Sequence, residues 1–206
     1  MRLLHTRSLV TAALVATVLS TSAGNGRPAL APTGFIPNKG QFVDRYGKPD
    51  PRVAFLFHGD GLHVQLRQGG FSYDTWHVLG PVATDAPEAA TSARDFRIHR
   101  IDIQLEGSDP AARWEAFQPS TDVLNYYTTG TGEAGITDVH HYQRVLCRNI
   151  YPFIDLEFRT SDDERGVKYD FIVHRGGDPA MIRLRYFGAR TALDASAKAV
   201  TLTWDD

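Results

Sequence analysis

The residue types that most often carry chemistry are sparse in this chain, and two carboxylates come first. Asp155 and Glu157 stand two apart in Ile154-Asp155-Leu156-Glu157-Phe158-Arg159, where apolar and polar residues alternate. On a β-strand this spacing turns both carboxylates to one polar face, with roughly 6–7 Å between their Cα atoms. A glycosidase needs two carboxylates flanking one bond, about 5 Å apart for retention and further for inversion. The spacing therefore permits acid–base cleavage of a glycan. It equally describes a solvated strand face on which the acids pair with Arg159 and Lys168, and such pairs contribute little.

Gly130-Thr131-Gly132-Glu133-Ala134-Gly135 spells G-x-G-x-x-G, the turn that brings backbone up to a pyrophosphate at a helix N-terminus. No amphipathic helix follows in residues 136–142 and no βαβ unit surrounds the string, so it reads as a loop and no cofactor is expected. His140 and His141 are adjacent and would point to opposite faces of a strand. His58, His63, His77, His99 and His174 are scattered singly, without H-x-H or H-E-x-x-H spacing, so no metal site is expected. A G-x-S-x-G nucleophile elbow is also lacking.

Cys147, the single cysteine, closes the apolar-leaning stretch 142–147 and reads as a small core side chain rather than a nucleophile. Trp76, Trp114, Trp204 and the pair Tyr126-Tyr127 are side chains of the kind that stack on sugar rings or anchor partners. Trp204 runs in phase with Val200 and Leu202, which places it in the core. Trp76 runs out of phase with Phe71 and Tyr73, which places it outside. Trp76, Asp155 and Glu157 are thus the candidate binding residues.

The elements that position these groups begin with an export signal. Arg2, His5 and Arg7 precede an uncharged apolar run, residues 8–20, and small residues lead to Gly24 as the expected new N-terminus. Basic start, short apolar run and small-residue exit define a cleavable signal peptide over 1–23. A spanning helix needs about 20 apolar residues, and no later run of that kind occurs. The mature chain is expected to be exported, secreted or held at the cell surface, without a membrane span. It keeps 20 basic against 24 acidic residues and has no basic stripe for nucleic acid. One cysteine leaves no disulfide framework, so burial of apolar surface has to hold the fold together.

Residues 24–34 form a Gly/Pro/Ala tether, and one domain follows over 35–206. Its dominant period is two, the period of strands. Val53-Ala54-Phe55-Leu56-Phe57 is apolar throughout and reads as a strand buried on both faces. Clear alternation follows in Leu62/Val64/Leu66, Ile101/Ile103/Leu105, Ile154/Leu156/Phe158, Tyr169/Phe171/Val173, Ile182/Leu184/Tyr186 and Val200/Leu202/Trp204. Turn residues recur between these runs, while 80–95 reads as an exposed loop and 128–138 as a Gly-rich connection. The pattern predicts an all-β antiparallel β-sandwich of about ten short strands, with a closed barrel as the alternative.

Several strings in order carry a family resemblance. They are Phe35-Ile36-Pro37-Asn38-Lys39-Gly40-Gln41, Gly70-Phe71-Ser72-Tyr73, Ile150-Tyr151-Pro152-Phe153-Ile154-Asp155-Leu156, and Tyr169-Asp170-Phe171-Ile172-Val173 followed by Gly177-Asp178-Pro179. Together they resemble the N-terminal domain of unknown function found ahead of SBBP-type β-propeller repeats in secreted bacterial multidomain proteins. The resemblance implies a surface or secreted context and carries over no catalytic residues. Phe153 stands where the family pattern has Gly, so positive φ is not expected there, and the 128–138 loop lacks the family's Trp. Asp155 is expected to bond a neighbouring loop's backbone, and Asp170 to partner Arg183 or Arg185.

The expected function is that of a non-enzymatic structural or binding module. Its partners would be neighbouring extracellular domains, surface proteins or glycans. The alternative is a carbohydrate-binding or carbohydrate-active extracellular protein.

Overall fold

The computed structural model describes residues 34–44, 46–59, 61–81, 94–128, 130–160, 166–193 and 200–203. The expected signal peptide, most of the tether and Trp204 lie outside the described residues.

The chain is all-β, with fourteen strands among the described residues. They are β1 (Phe35–Pro37), β2 (Val53–Gly59), β3 (Leu62–Arg67), β4 (Gly70–Pro81), β5 (Arg94–Leu105), β6 (Trp114–Pro119) and β7 (Leu124–Tyr126). The second half contributes β8 (Ile136–Val139), β9 (Tyr142–Tyr151), β10 (Ile154–Thr160), β11 (Val167–Val173), β12 (Leu184–Phe187), β13 (Arg190–Leu193) and β14 (Val200–Thr203). A single 3₁₀ turn, Pro179–Met181, lies between β11 and β12.

Ten strands form one antiparallel sheet in the order β11-β10-β9-β1-β2-β3-β4-β5-β12, with β6 also paired to β9. The sheet curls strongly into a half-barrel, which corrects the expected plain sandwich. Among the described residues, its two halves, β6-β9-β10-β11 and β1-β2-β3-β4-β5-β12, meet at one ladder pair, Phe35 with Tyr142. The curl follows from the alternation. Most strands of the sheet turn one apolar face inward, and a lone twisted sheet can bury that face only against itself. Phe71 on β4 accordingly packs against Phe158 on β10 and Tyr169 on β11 at ring-centroid distances of 4.9 and 5.2 Å.

The edge strands β11 and β12 are joined by side chains instead of a ladder, through a hydrogen bond between Tyr169 and Tyr186. Burial raises the pKa of both phenols, that of Tyr169 strongly. β13 and β14 form a separate ribbon, and Leu202 packs on the core.

Local details correct other expectations. β2 buries Val53, Phe55 and Phe57 and leaves Ala54 and Leu56 half-buried, so only one face is core. β4 and β5 extend into the expected 80–95 loop, and β8 occupies the end of the expected 128–138 connection. Ile182 precedes β12 and caps the 3₁₀ turn. Cys147 is buried as expected, and burial pushes its thiol up to about 12.

Phe153 has φ +61° despite its side chain. Tyr151 pairs with Ile154 across a two-residue loop. With Pro152 at the first central position and positive φ at the second, this loop has the type II pattern. The 174–177 loop is moulded around it: His174 N–H donates to Phe153 O at 2.8 Å, and a side chain at Gly177 would meet that oxygen at 2.9 Å.

Candidate functional site

The outer face of β3, β4 and β5 is where polar and aromatic groups converge. Two short hairpins position it. His58 pairs with His63 across the β2–β3 turn, and Arg67 pairs with Gly70 across the β3–β4 turn, where Gly69 has φ +73°. Because successive side chains alternate, Val64 and Leu66 enter the core while His63, Gln65 and Arg67 face out. Register then aligns His63 with Asp74, Asp74 with Arg100, Gln65 with Ser72, Ser72 with Asp102, and Trp76 with Ile98.

Three rings pack edge-on and tilted along this face. His58 and His63 lie edge to face with centroids 4.1 Å apart, and His63 lies 4.4 Å from Trp76. Burial lowers both imidazole pKa values, His58 to about 4 with the charge of His63 adding, so both rings are neutral near pH 7. Beside them Arg100 is held from four directions. Its Nη2 donates to Ser72 Oγ at 2.8 Å and Gln65 Oε1 at 3.2 Å, and its Nε donates to Asp102 Oδ1 at 3.1 Å. Its Nη1 approaches Asp74 Oδ1 at 3.4 Å. Gln65 Nε2 donates to Asp74 Oδ2 at 3.0 Å, and Arg67 Nη2 reaches Gln65 Oε1. Burial raises the Asp74 carboxyl above its usual range, against the pull of Arg100.

His63, Asp74, Trp76, Ile98 and Arg100 line an open depression of about 470 Å³. A second depression of about 270 Å³ lies further along the same strands, beside Arg67, Gly69-Gly70, Asp102 and Phe187. Trp76 is half-buried, and Ile98 opposite it is 69% exposed.

The two carboxylate candidates lie elsewhere. They face outward on β10, whose core side packs against that of β4, so Trp76 and this pair sit on opposite outer walls. Asp155 is 5% exposed and accepts from the Asn149 backbone N–H at 2.7 Å and from His174 Nε2 at 2.8 Å. Its carboxylate fills a bulge, where the β9–β10 register shifts and Asn149 takes φ 49°. Glu157 accepts from Arg144 Nη1 at 2.7 Å, and Arg159 pairs instead with Asp170 at 3.3 Å. Arg185 pairs with Glu106, so neither expected arginine partner of Asp170 is the one it uses. Neither Asp155 nor Glu157 lines the two depressions.

The remaining motifs resolve structurally. The 130–135 glycine string leads into β8 rather than a helix. His140 and His141 bond Ser120 and Asp122. Trp114 packs on Phe158 with centroids 5.9 Å apart. Among the described residues, no cluster of three His, Cys, Asp or Glu has metal-binding geometry.

Sequence reasoning missed His63, Asp74, Ile98 and Arg100 as members of one site. The H-G-D-G-L-H string was the available signal, since counting outward from Asp60-Gly61 pairs the two histidines.

An all-β half-barrel with an aromatic and charge-paired outer face is the class these features define. The model of the family described as Domain of unknown function (DUF7948) matches residues 35–199, and the chain belongs to that family. No curated protein and no solved structure gives a match.

Proposed function

We propose that this chain is a non-enzymatic binding module of an exported bacterial protein, secreted or held at the cell surface, and that it docks through the outer face of β3–β4–β5. The observation that carries this reading is Trp76 and exposed Ile98 standing beside a hydrogen-bonded array fixed by Arg100. Anchors of this kind next to immobilised polar groups suit recognition, because little entropy is lost on binding. The carboxylates suggested for catalysis are engaged in holding a bulge and an ion pair. Export rests on the leader pattern of residues 1–23, and association with SBBP-type propeller repeats rests on the ordered motifs.

The test is expression of the full chain in a bacterial host, followed by fractionation and intact-mass analysis. The exported chain should begin at Gly24. It should bind isolated bacterial envelopes saturably, and Ile98→Asp should weaken that binding by roughly tenfold or more. A full-length cytoplasmic product would refute export, and binding indifferent to Ile98→Asp would refute the docking face.

A further inference from the structure

The two depressions on the outer face follow one another along β5 and mark out a track. Trp76 pairs with Ile98 at one end, and Phe187, 48% exposed, pairs with Asp102 at the other. From Ile98 to Asp102 along β5 the distance is about 13 Å at the usual rise per residue. Apolar platforms therefore stand at both ends. Between them lie Arg100, Ser72 and Gln65, already bonded to one another.

Charge along this track is balanced, with Arg67 and Arg100 set against Asp74 and Asp102. An anionic ligand would have to compete with carboxylates already paired to both guanidiniums, and a cation would have to displace those guanidiniums. The packed imidazoles add no charge near neutral pH. A peptide adding to a strand edge would lie in the plane of the sheet beside β5, which β12 covers only over residues 102–105, and not across the outer face. A neutral ring system with one apolar face and a rim of hydroxyls meets every constraint. Its C–H face covers an aromatic or aliphatic platform, and its hydroxyls reach the fixed donors and acceptors.

We propose that this face holds a neutral oligosaccharide laid along β5, with one pyranose ring on Trp76 and Ile98 and another at Phe187. The assignment rests on the reading of the β3–β4–β5 face as the docking surface, and names its ligand class.

Calorimetric titration of the full chain tests it. The probes are cellotetraose, chitotetraose and maltotetraose, the corresponding monosaccharides, and charged tetrasaccharides of heparin and polygalacturonate. At least one neutral tetrasaccharide should saturate the protein, and its monosaccharide should bind roughly tenfold more weakly or worse. Ile98→Asp and Phe187→Ala, both at exposed positions, should each weaken binding by roughly tenfold. Leu193→Ser, on β13 and away from the track, should leave it unchanged. Absence of neutral-sugar binding up to about 10 mM, or preference for a charged tetrasaccharide, overturns the proposal.

Envelope binding separates the two readings. Loss of Ile98-dependent binding after periodate oxidation of the envelopes supports the glycan. Ile98-dependent binding that survives periodate but not proteinase treatment identifies a protein partner, overturning the glycan and keeping the docking face. Binding indifferent to Ile98→Asp overturns both.

Discussion

Phe71 on β4 and Phe158 on β10 meet edge to face, their ring centroids 4.9 Å apart across the inside of the curled sheet. Phe158 also contacts Phe35, Trp114 and Tyr169, so one ring ties together strands from both halves. With one ladder pair linking the halves among the described residues, side-chain packing does most to close the half-barrel.

Phe158→Ala should therefore cost about 3–5 kcal/mol, measured by denaturant unfolding, with loss of near-ultraviolet circular dichroism. A cost under about 1 kcal/mol would show that the aromatic cluster does not join the halves.

Phe153 occupies left-handed backbone space in the β9–β10 turn, with its ring lying over Gly176. Glycine would relieve that conformation at some cost in unfolded-chain entropy, whereas alanine keeps the strain and loses the ring contact. Phe153→Gly should be more stable than Phe153→Ala by about 1 kcal/mol. Equal midpoints in chemical denaturation would mean that the turn changes conformation in one of the variants.

Asp155 anchors the bulge through the Asn149 N–H and His174. Asp155→Ala should destabilise by about 1–3 kcal/mol, because it leaves a donor in a buried setting without its acceptor. Envelope binding at temperatures where the variant remains folded should be unaffected. Wild-type stability in the variant would remove Asp155 from the fold's supports, and lost binding without lost stability would make it part of a site.

His58 makes stability depend on pH. Burial holds its pKa at about 4, against an ordinary value of 6.5, and the pKa of His63 is lowered too. The folded chain then binds these protons less readily than the unfolded chain, so the stabilisation is complete above about pH 6.5 and is lost as pH falls toward about 4. Asp74, whose carboxyl is raised by burial, works in the opposite sense at the acidic end. His58→Gln should reduce the loss of stability between pH 7 and pH 5 by about 1 kcal/mol or less, because the partly exposed ring is screened by solvent. Unfolding free energies at the two pH values provide the check; an unchanged difference would show that the His58 ring titrates normally.

The sequence by itself determined the all-β class and most strand phases. Leu62/Val64/Leu66 and Ile154/Leu156/Phe158 do turn inward, and Trp76, out of phase with Phe71 and Tyr73, does turn outward. Period-two alternation is a local property of the extended backbone, so each residue's face can be read without knowing its neighbours. The partner of each strand cannot be read in the same way. Ile98 and Arg100 join Trp76 and Asp74 only because β4 pairs with β5, and Asp155 is buried only because a bulge wraps around its carboxylate. Phe153 takes positive φ inside the hairpin that Tyr151 and Ile154 close, against its own preference. Tertiary structure decided the curl, the bulge and the composite face, because these depend on contacts between segments far apart in the chain, where packing outweighs local propensity.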